Sequence, residues 1–170
     1  TTCVSDYLHA GDVVGFDPAM QTIRSVEGWT SALKSMGAKL KPVSVNPVDA
    51  TWTNQPLPPA TTAVPHAVEF AGKSSAIKRA DLAGALTTNG LKAQVLNQSE
   101  SIAWLLNTRA DDIAGVPVTR SFATLHADGA VDWYIAPERV SEAMHRTLDN
   151  RVAIYHPDEM LGRLAAMSGP

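Results

Sequence analysis

The segment that decides the fold runs from Ser101 to Val118 and reads SIAWLLNTRADDIAGVPV. Its first part, Ile102–Leu106, is the longest uninterrupted apolar run in the chain and predicts a short helix. The polar residues that follow, among them Arg109 and Asp112, predict a loop that begins where the helix ends. The pattern leaves two interpretations open. The loop carries local surface ion pairs, or the rigid helix presents Arg109 to a carboxylate or carbonyl group.

The residues around this segment predict a sheet flanked by helices. After it, Asp128-Gly129 separates two apolar stretches, which is a strong hairpin signal. Before it, a serine at 74 or 75 and Gly90 delimit a helix, with Ile77, Ala80, Ala83 and Leu86 as its apolar face. Further elements are strands at 93–97 and 151–155, a helix capped by Ser99, a helix from Pro137 to about Leu148 and a last helix from Pro157. We therefore predict the α/β class, with a mixed sheet.

The first 66 residues have a different organisation. A strand at 13–16, a helix at 22–36 and a strand at 39–43 predict a β-α-β unit too small to bury its own apolar faces. Residues 46–66 contain five of the eleven prolines and predict an extended connector that is neither helix nor central strand. The predicted domains are residues 1–45, the connector 46–66, and a second domain over 67–170 that is truncated at its C-terminal end.

Composition excludes several classes of function. Apolar residues make up 45% of the chain and charged residues 18%, which favours a folded domain. The net charge of −3 argues against nucleic-acid binding, and no apolar run approaches the roughly 20 residues of a membrane span. The single cysteine, Cys3, excludes an intramolecular disulfide and favours a reducing, cytoplasmic setting.

The sequence favours neither a phosphate-binding loop nor a histidine metal site. Ala67–Ser74 ends in the Gly-Lys-Ser of a phosphate-binding loop but lacks the leading glycine, so a turn at Gly72 and a helix N-cap at Ser74 explain it better. The histidines show no metal-ligand spacing, and His126 and His145 are expected at the solvated surface. We predict no catalytic and no metal-binding residue in this chain.

Four motifs in order along the chain carry a family resemblance. Ser101–Val118 resembles the W-L-x-N-x-R-G-[SA]-D-x-x-x-x-P-V motif in the middle domain of three-domain Xaa-Pro aminopeptidases (the aminopeptidase P type). Val14–Pro18 resembles the VGVDP strand of their first domain. Asn46–Pro56 resembles the N-L-V-D-x-x-W-x-D-R-P connector, and Phe70–Ser74 resembles the Y-x-G-x-S entry to the second domain. The resemblance implies the end of a first domain followed by a creatinase-N-terminal-like second domain.

The resemblance also implies a function. The parent enzyme would be a metallopeptidase that removes the residue before a proline, with two divalent metals, usually manganese, in a C-terminal pita-bread domain. This chain would be inactive alone, would cover the active-site cleft, restrict access to short peptides and help to position domains and subunits. Arg109 and Asp112 would bind substrate, with Asp112 orienting Arg109 or capping the loop.

The expected partners are the catalytic domain, short peptides with proline at the second position and a second copy of the chain in a homodimer. Two alternatives remain: a stand-alone peptide-binding or interaction module of the same fold, and a creatine-type amidinohydrolase.

Overall fold

The computed structural model describes residues 7–167, and the chain divides into two compact units between Leu57 and Pro58. In the first unit, β1 (Val13–Phe16) and β2 (Lys39–Pro42) pair in parallel and are connected by α1 (Ile23–Ser35), as predicted. Within residues 7–57 only Leu33 and Ala38 are buried. So small a core agrees with the expectation that a β-α-β unit of this size does not bury its own apolar faces.

The prediction that no helix forms in residues 46–66 is wrong. Pro47–Thr51 is a short helix, α2, because a proline in the first helical turn has no N–H that a helical bond would need. Asn46 caps it by accepting a hydrogen bond of 2.9 Å from the N–H of Val48. The end of the predicted connector is extended, as expected, but it belongs to the second unit, where Val64–Pro65 forms strand β3.

The second unit is built on a mixed four-stranded sheet. The elements of this unit after β3 are α3 (Val68–Ala71), α4 (Ser75–Thr88), β4 (Ala93–Leu96), α5 (Ser99–Leu106), β5 (Thr108–Arg109), β6 (Phe122–His126), β7 (Val131–Tyr134), α6 (Glu142–Thr147), β8 (Val152–Tyr155) and α7 (Met160–Met167). The order of strands in the sheet is β4-β6-β7-β8. The β4–β6 and β6–β7 pairs are antiparallel and the β7–β8 pair is parallel, which confirms the predicted α/β fold with a mixed sheet. The short strand β3 pairs instead with β5, antiparallel.

The core lies between one face of this sheet and the helices. Alternate residues of β6 and β7, such as Leu125 and Trp133, face this core because successive side chains of a strand point to opposite faces. Thr124 and Tyr134, on the other face, are also buried. Leu125 and Trp133 pack in one cluster with Leu86 of α4, Met144 of α6 and three residues of α5, namely Ile102, Leu105 and Leu106. Helix α5 is therefore anchored in the core, and its C-terminal end is held in a fixed position.

Two helix predictions need correction. The segment from Pro137 is not one helix to Leu148, because Val140 is extended beside Ala63 in a parallel bridge. The N–H of Ala63 donates to the carbonyl of Arg139 at 2.7 Å, and the N–H of Ser141 donates to that of Ala63 at 3.1 Å. Helix α6 begins only after Ser141, its N-cap. Helix α5 begins after Gln98, which makes no side-chain capping bond, so the predicted cap at Ser99 is off by one residue.

Candidate functional site

The loop that carries Arg109 begins at a defined helix end. Helix α5 stops at Leu106, and the next residue, Asn107, takes the left-handed conformation (φ 50°), which ends the helix. Thr108 and Arg109 then form β5 against Pro65 and Val64. The backbone of Arg109 is thus fixed by a packed helix on one side and a strand pair on the other, as the sequence predicts.

The Arg109 side chain is partly buried, and its hydrogen bonds to residues 7–167 are made with backbone carbonyls. Its Nη1 donates to the carbonyl of Thr108 at 2.8 Å and to that of Ala103 at 3.4 Å. A cation is favourable at this end of helix α5, where the carbonyls lack helical partners. Within residues 7–167 Arg109 forms no ion pair with a carboxylate. Its Nε and Nη2 groups therefore stay available to an oxygen acceptor from outside this part of the chain.

A second cation, Lys78, lies at the same C-terminal end of helix α5. Lys78 is 3% exposed, and its Nζ donates to Asn107 Oδ1 at 2.6 Å and to the carbonyl of Trp104 at 2.9 Å. The ammonium also lies 4.6 Å from the ring centre of Trp104, within range of a cation–π contact. Burial, and then the nearby charge of Arg109, lower the pKa of Lys78. The end of helix α5 is thus a locally electropositive region.

Sequence patterns did not identify Lys78 as part of this region. The predicted apolar face of α4 contained Ile77 and Ala80, but both are exposed, while Lys78 and Arg79 are buried. Buried charges are rare without partners, and the partners of Lys78 lie 26 and 29 residues further along the chain. No local signal links a lysine on α4 to the carbonyl and amide oxygens at the C-terminal end of α5.

Asp112 does not orient Arg109, which corrects one of the two roles predicted for it. Its carboxylate has no exposed surface and is paired with Arg139. It also accepts hydrogen bonds from the N–H and hydroxyl of Thr61, at 2.9 and 2.6 Å, and from the N–H of Arg120 at 2.7 Å. The other predicted role, capping loop backbone, agrees with this geometry. Asp112 positions the loop and is too enclosed to touch a ligand.

The lowered pKa of Asp112 agrees with its role in holding the loop. Burial alone raises the pKa of a carboxyl group, because it disfavours the charged form. Here the hydrogen bonds from the Thr61 hydroxyl, the N–H groups of Arg120 and Thr61 and the Arg139 guanidinium outweigh burial, so the pKa of Asp112 lies below its ordinary value. The group is therefore a fixed anion at neutral pH.

The phosphate-loop-like segment, Ala67–Ser74, contains the short helix α3 and the turn that leads into α4. Gly72 has φ of +75°, and Ser74 Oγ accepts the N–H of Ile77 at 3.3 Å as the N-cap of α4. Both observations confirm the interpretation favoured by the sequence.

Potential ligands of metal ions are dispersed. Across residues 7–167, no three His, Cys, Asp or Glu side chains come together in a group that could hold a metal ion. His145 is exposed, as expected, but His126 is only partly exposed and contacts Asp132 at 3.2 Å. The helices of the described part of the chain include none that is long and apolar enough to cross a bilayer.

Known proteins resemble this chain in both sequence and structure. The family model of the creatinase/prolidase N-terminal domain matches residues 54–169. A probable Xaa-Pro aminopeptidase P of Talaromyces stipitatus is 32% identical over 96% of this chain and 25% of its own length. A probable Xaa-Pro aminopeptidase P of Paracoccidioides brasiliensis is 33% identical over 88% of this chain and 24% of its own length. The chain therefore spans about a quarter of the length of these relatives.

A solved structure agrees over the same extent. The crystal structure of X-prolyl aminopeptidase from Caenorhabditis elegans, described as a cytosolic enzyme with a di-nuclear active site, matches with a TM-score of 0.86 at 25% identity. The match covers 96% of this chain and 27% of the nematode protein. The resemblance predicted from the four sequence motifs is confirmed. Because the family model matches more than half of its residues, the chain belongs to the creatinase/prolidase N-terminal domain family.

Proposed function

We propose that this chain is the non-catalytic N-terminal and middle region of a metal-dependent Xaa-Pro aminopeptidase. Residues 1–45 would be the closing β-α-β part of its first domain, 46–66 the connector and 67–170 its second domain. In the parent enzyme the region would cover the active-site cleft, restrict access to short peptides with proline at the second position, and help domains and subunits to assemble. Membership of the family and the likeness to aminopeptidases favour this proposal over a creatine-type amidinohydrolase.

The observation that carries the proposal is the hydrogen bonding of the Arg109 guanidinium. Its guanidinium is held by the carbonyls of Ala103 and Thr108 but has no carboxylate partner within residues 7–167. A fixed arginine with free N–H groups is suited to bind a carboxylate or a peptide carbonyl, because its donors are rigidly spaced. Lys78 adds positive charge nearby, while Asp112 holds the loop from within. Arg109 is thus the proposed contact to substrate or catalytic domain, and Asp112 a positioning residue.

Residues 7–167 bring together no group of side chains that fits the metals of such an enzyme. The described residues bring no suitable group of ligands together, so we place the two divalent ions, manganese by the resemblance, in the C-terminal catalytic domain. The purified chain alone is then inactive toward Xaa-Pro peptides, with or without manganese. A manganese-dependent turnover that co-purifies with the 18.1 kDa chain would overturn this assignment. The parent enzyme would act in the cytoplasm, as a homodimer.

The test of the substrate role is Arg109→Ala in the aminopeptidase that carries this region. We expect kcat/KM to fall roughly ten- to a hundredfold, the effect of losing one charged hydrogen-bonded contact. The free energy of unfolding should change by less than about 1 kcal/mol, because the lost bonds are partly exposed. Arg146→Ala is a matched control, since Arg146 is an exposed arginine on α6. Kinetics that are unchanged by Arg109→Ala would end the substrate-contact proposal.

A stand-alone binding module is the second candidate, and exposed apolar side chains favour it. Phe70 is 75%, Ile77 51% and Trp104 49% exposed, and a binding module would use exposed apolar side chains of this kind if they formed one continuous patch. Calorimetric titration of the purified chain with an Xaa-Pro peptide separates the candidates. Peptide binding without hydrolysis and without any further domain supports a module, and the absence of binding supports a region that works only with its catalytic domain.

A further inference from the structure

The side chain of Asn107 connects helix α4 to the loop that carries Arg109. Asn107 is 7% exposed, takes the left-handed conformation and precedes Arg109 by two residues. Its Oδ1 accepts the 2.6 Å hydrogen bond from Lys78, and its Nδ2 donates to the carbonyl of Lys73 at 2.9 Å. Its own carbonyl accepts the N–H of His66 at 2.7 Å. Asn107 is therefore held on several sides, and Lys78 supplies the charged contact.

Lys78 and Arg109 bind neighbouring carbonyl groups of helix α5. The ammonium of Lys78 donates to the carbonyl of Trp104 at 2.9 Å, and Arg109 Nη1 donates to that of Ala103 at 3.4 Å. Within residues 7–167 neither cation pairs with a carboxylate, so the two charges repel each other. Burial, and then the charge of Arg109, lower the pKa of Lys78, which agrees with this repulsion.

Lys78 occupies acceptors that would otherwise attract the Arg109 guanidinium. These acceptors are Asn107 Oδ1 and the carbonyl of Trp104, both at the C-terminal end of helix α5. The ammonium fills them and, because it is charged, disfavours a second cation at the same place. The Arg109 guanidinium is consequently kept away from this part of the helix end.

The Nε and Nη2 groups of Arg109 reach solvent in this arrangement. It is Nη1 that donates to the carbonyls of Ala103 and Thr108. The guanidinium nitrogens of residues 7–167 that are enclosed without a partner belong to Arg79 and Arg163, not to Arg109. A ligand oxygen can therefore approach the two free donors of Arg109 from outside.

We propose that Lys78 is a positioning residue for Arg109. By holding Asn107 and occupying the acceptors at the end of helix α5, its ammonium directs the Arg109 guanidinium away from the helix and towards a ligand. Without the ammonium, Asn107 Oδ1 and the carbonyl of Trp104 would lose their donor at a partly buried helix end. The free donors of Arg109 would then satisfy them, because an unpaired buried acceptor is costly. The guanidinium would fold back onto the helix.

The first test follows the Nε–H signal of Arg109 by NMR in the ¹⁵N-labelled 170-residue chain. Lys78→Met keeps an unbranched side chain but removes the ammonium. The Arg109 signal should shift and its hydrogen exchange with water should slow about tenfold, because the guanidinium is then bonded to the chain. Lys92→Met is the matched control, since Lys92 is an exposed lysine of the same unit. An Arg109 signal that Lys78→Met leaves unchanged would overturn the proposal.

The second test uses the aminopeptidase that carries this region and rests on the proposed function. Lys78→Met should raise KM about tenfold and leave kcat within about twofold, because a misdirected Arg109 loses a binding contact. When Arg109→Ala is already present, Lys78→Met should change KM by less than about twofold, since no guanidinium remains to be positioned. A fall in kcat with unchanged KM, or the same loss with and without Arg109, indicates a merely structural role and contradicts the proposal.

The two tests separate this proposal from the proposed function. Unchanged kinetics of Arg109→Ala would refute the substrate contact, while the Nε–H signal would still report whether Lys78 directs Arg109. If Lys78→Met does not fold, Asn107→Gly replaces it, because glycine keeps the left-handed conformation and removes the link between Lys78 and the loop. Asn107→Gly should shift the Arg109 signal and raise KM. An unchanged Arg109 signal in that variant also refutes the positioning role.

Discussion

Replacement of Asp112 by asparagine tests whether this buried carboxylate holds the loop in place. The substitution keeps size and shape but turns one acceptor oxygen into an NH₂ donor. The remaining oxygen still accepts the N–H and hydroxyl of Thr61. The new NH₂ faces the N–H of Arg120 and the guanidinium of Arg139, which are themselves donors. Two donors, one of them charged, thus lose their acceptor.

The magnitude follows from burial. The Asp112 side chain is 0% exposed and that of Arg139 is 13% exposed, so water does not readily replace the lost partner. Removing one member of a buried ion pair costs about 3–5 kcal/mol, and an unsatisfied buried N–H costs about 1–3 kcal/mol. The two effects overlap in one network and do not simply add. We expect Asp112→Asn to lower the free energy of unfolding by about 3–5 kcal/mol.

Urea unfolding of the chain measures this difference, followed by tryptophan fluorescence, to which the fully buried Trp133 contributes together with Trp29, Trp52 and Trp104. Asp111→Asn is the control, because Asp111 is the exposed neighbour and its backbone N–H, not its carboxylate, bonds to Thr61. Its effect should stay within about 0.5 kcal/mol. If Asp112→Asn unfolds within about 1 kcal/mol of the parent chain, the carboxylate does not hold the loop.

The pH dependence has a definite sign. The pKa of Asp112 is lowered in the folded state, so the unfolded chain binds more protons in the pH range between the two pKa values. The contribution of Asp112 to stability is therefore complete above the unfolded value, about 3.9, and is lost as the pH falls through the lower folded value. Asp112→Asn should remove this part of the acid destabilisation, whereas Asp111→Asn should keep it.

Three further substitutions test the turn, helix α4 and the electropositive region. Gly129→Ala should cost about 1–2 kcal/mol in urea unfolding, because Gly129 has φ of +85° in the hairpin. Gly84→Ala should instead raise the free energy of unfolding by roughly 0.5–1 kcal/mol, since it lies within α4 and an added Cβ meets nothing within 4 Å. Arg109→Ala should raise the pKa of Lys78 while burial keeps it below its ordinary value. ¹⁵N NMR of the lysine Nζ measures this, and an unchanged pKa would show that the two charges do not interact.

Local chemistry explains why much of the fold follows from the sequence. Ser74 and Gly90 delimit α4 because a serine oxygen caps the first turn and a glycine takes positive φ after the last. Asp128-Gly129 sets the hairpin for a similar reason: Asp128 Oδ1 accepts the N–H of Ala130 at 2.9 Å. In both cases the residues that fix the conformation are neighbours in sequence, so the pattern contains the information.

Two predictions of secondary structure are wrong because the effect of a proline depends on its position within the element. A proline-rich stretch was expected to be extended, but Pro47 occupies a first helical turn, where Asn46 supplies the cap. Pro137 was expected to open a long helix, yet only one turn forms before Val140 is drawn into a bridge with Ala63. That bridge joins residues far apart in the chain, and tertiary contacts of this kind override local preference.

The same distinction between local and long-range contacts applies to the candidate site. Helix α5 and the position of Arg109 were predictable, because an apolar run followed by polar residues describes a core helix and its end. The partner of Asp112 was not, because two charged residues in one loop suggest a local pair, whereas Arg139 is 27 residues away. Thr61, its other anchor, is 51 residues away in the predicted connector.

The loop is therefore held by residues that sequence analysis placed outside the second domain or within a helix. Thr61 bonds to Asp112 with both its N–H and its hydroxyl, and its own carbonyl accepts two hydrogen bonds from Arg139, each 3.1 Å. The end of the connector is consequently part of the support of the Arg109 loop. A change at Thr61 should then alter both the stability of the second unit and the position of Arg109, although Thr61 is not close to Arg109 in sequence. The connector and the Arg109 loop are therefore coupled through one side chain inside the domain, because the Asp112 carboxylate accepts hydrogen bonds from Thr61 in the connector and from the N–H of Arg120.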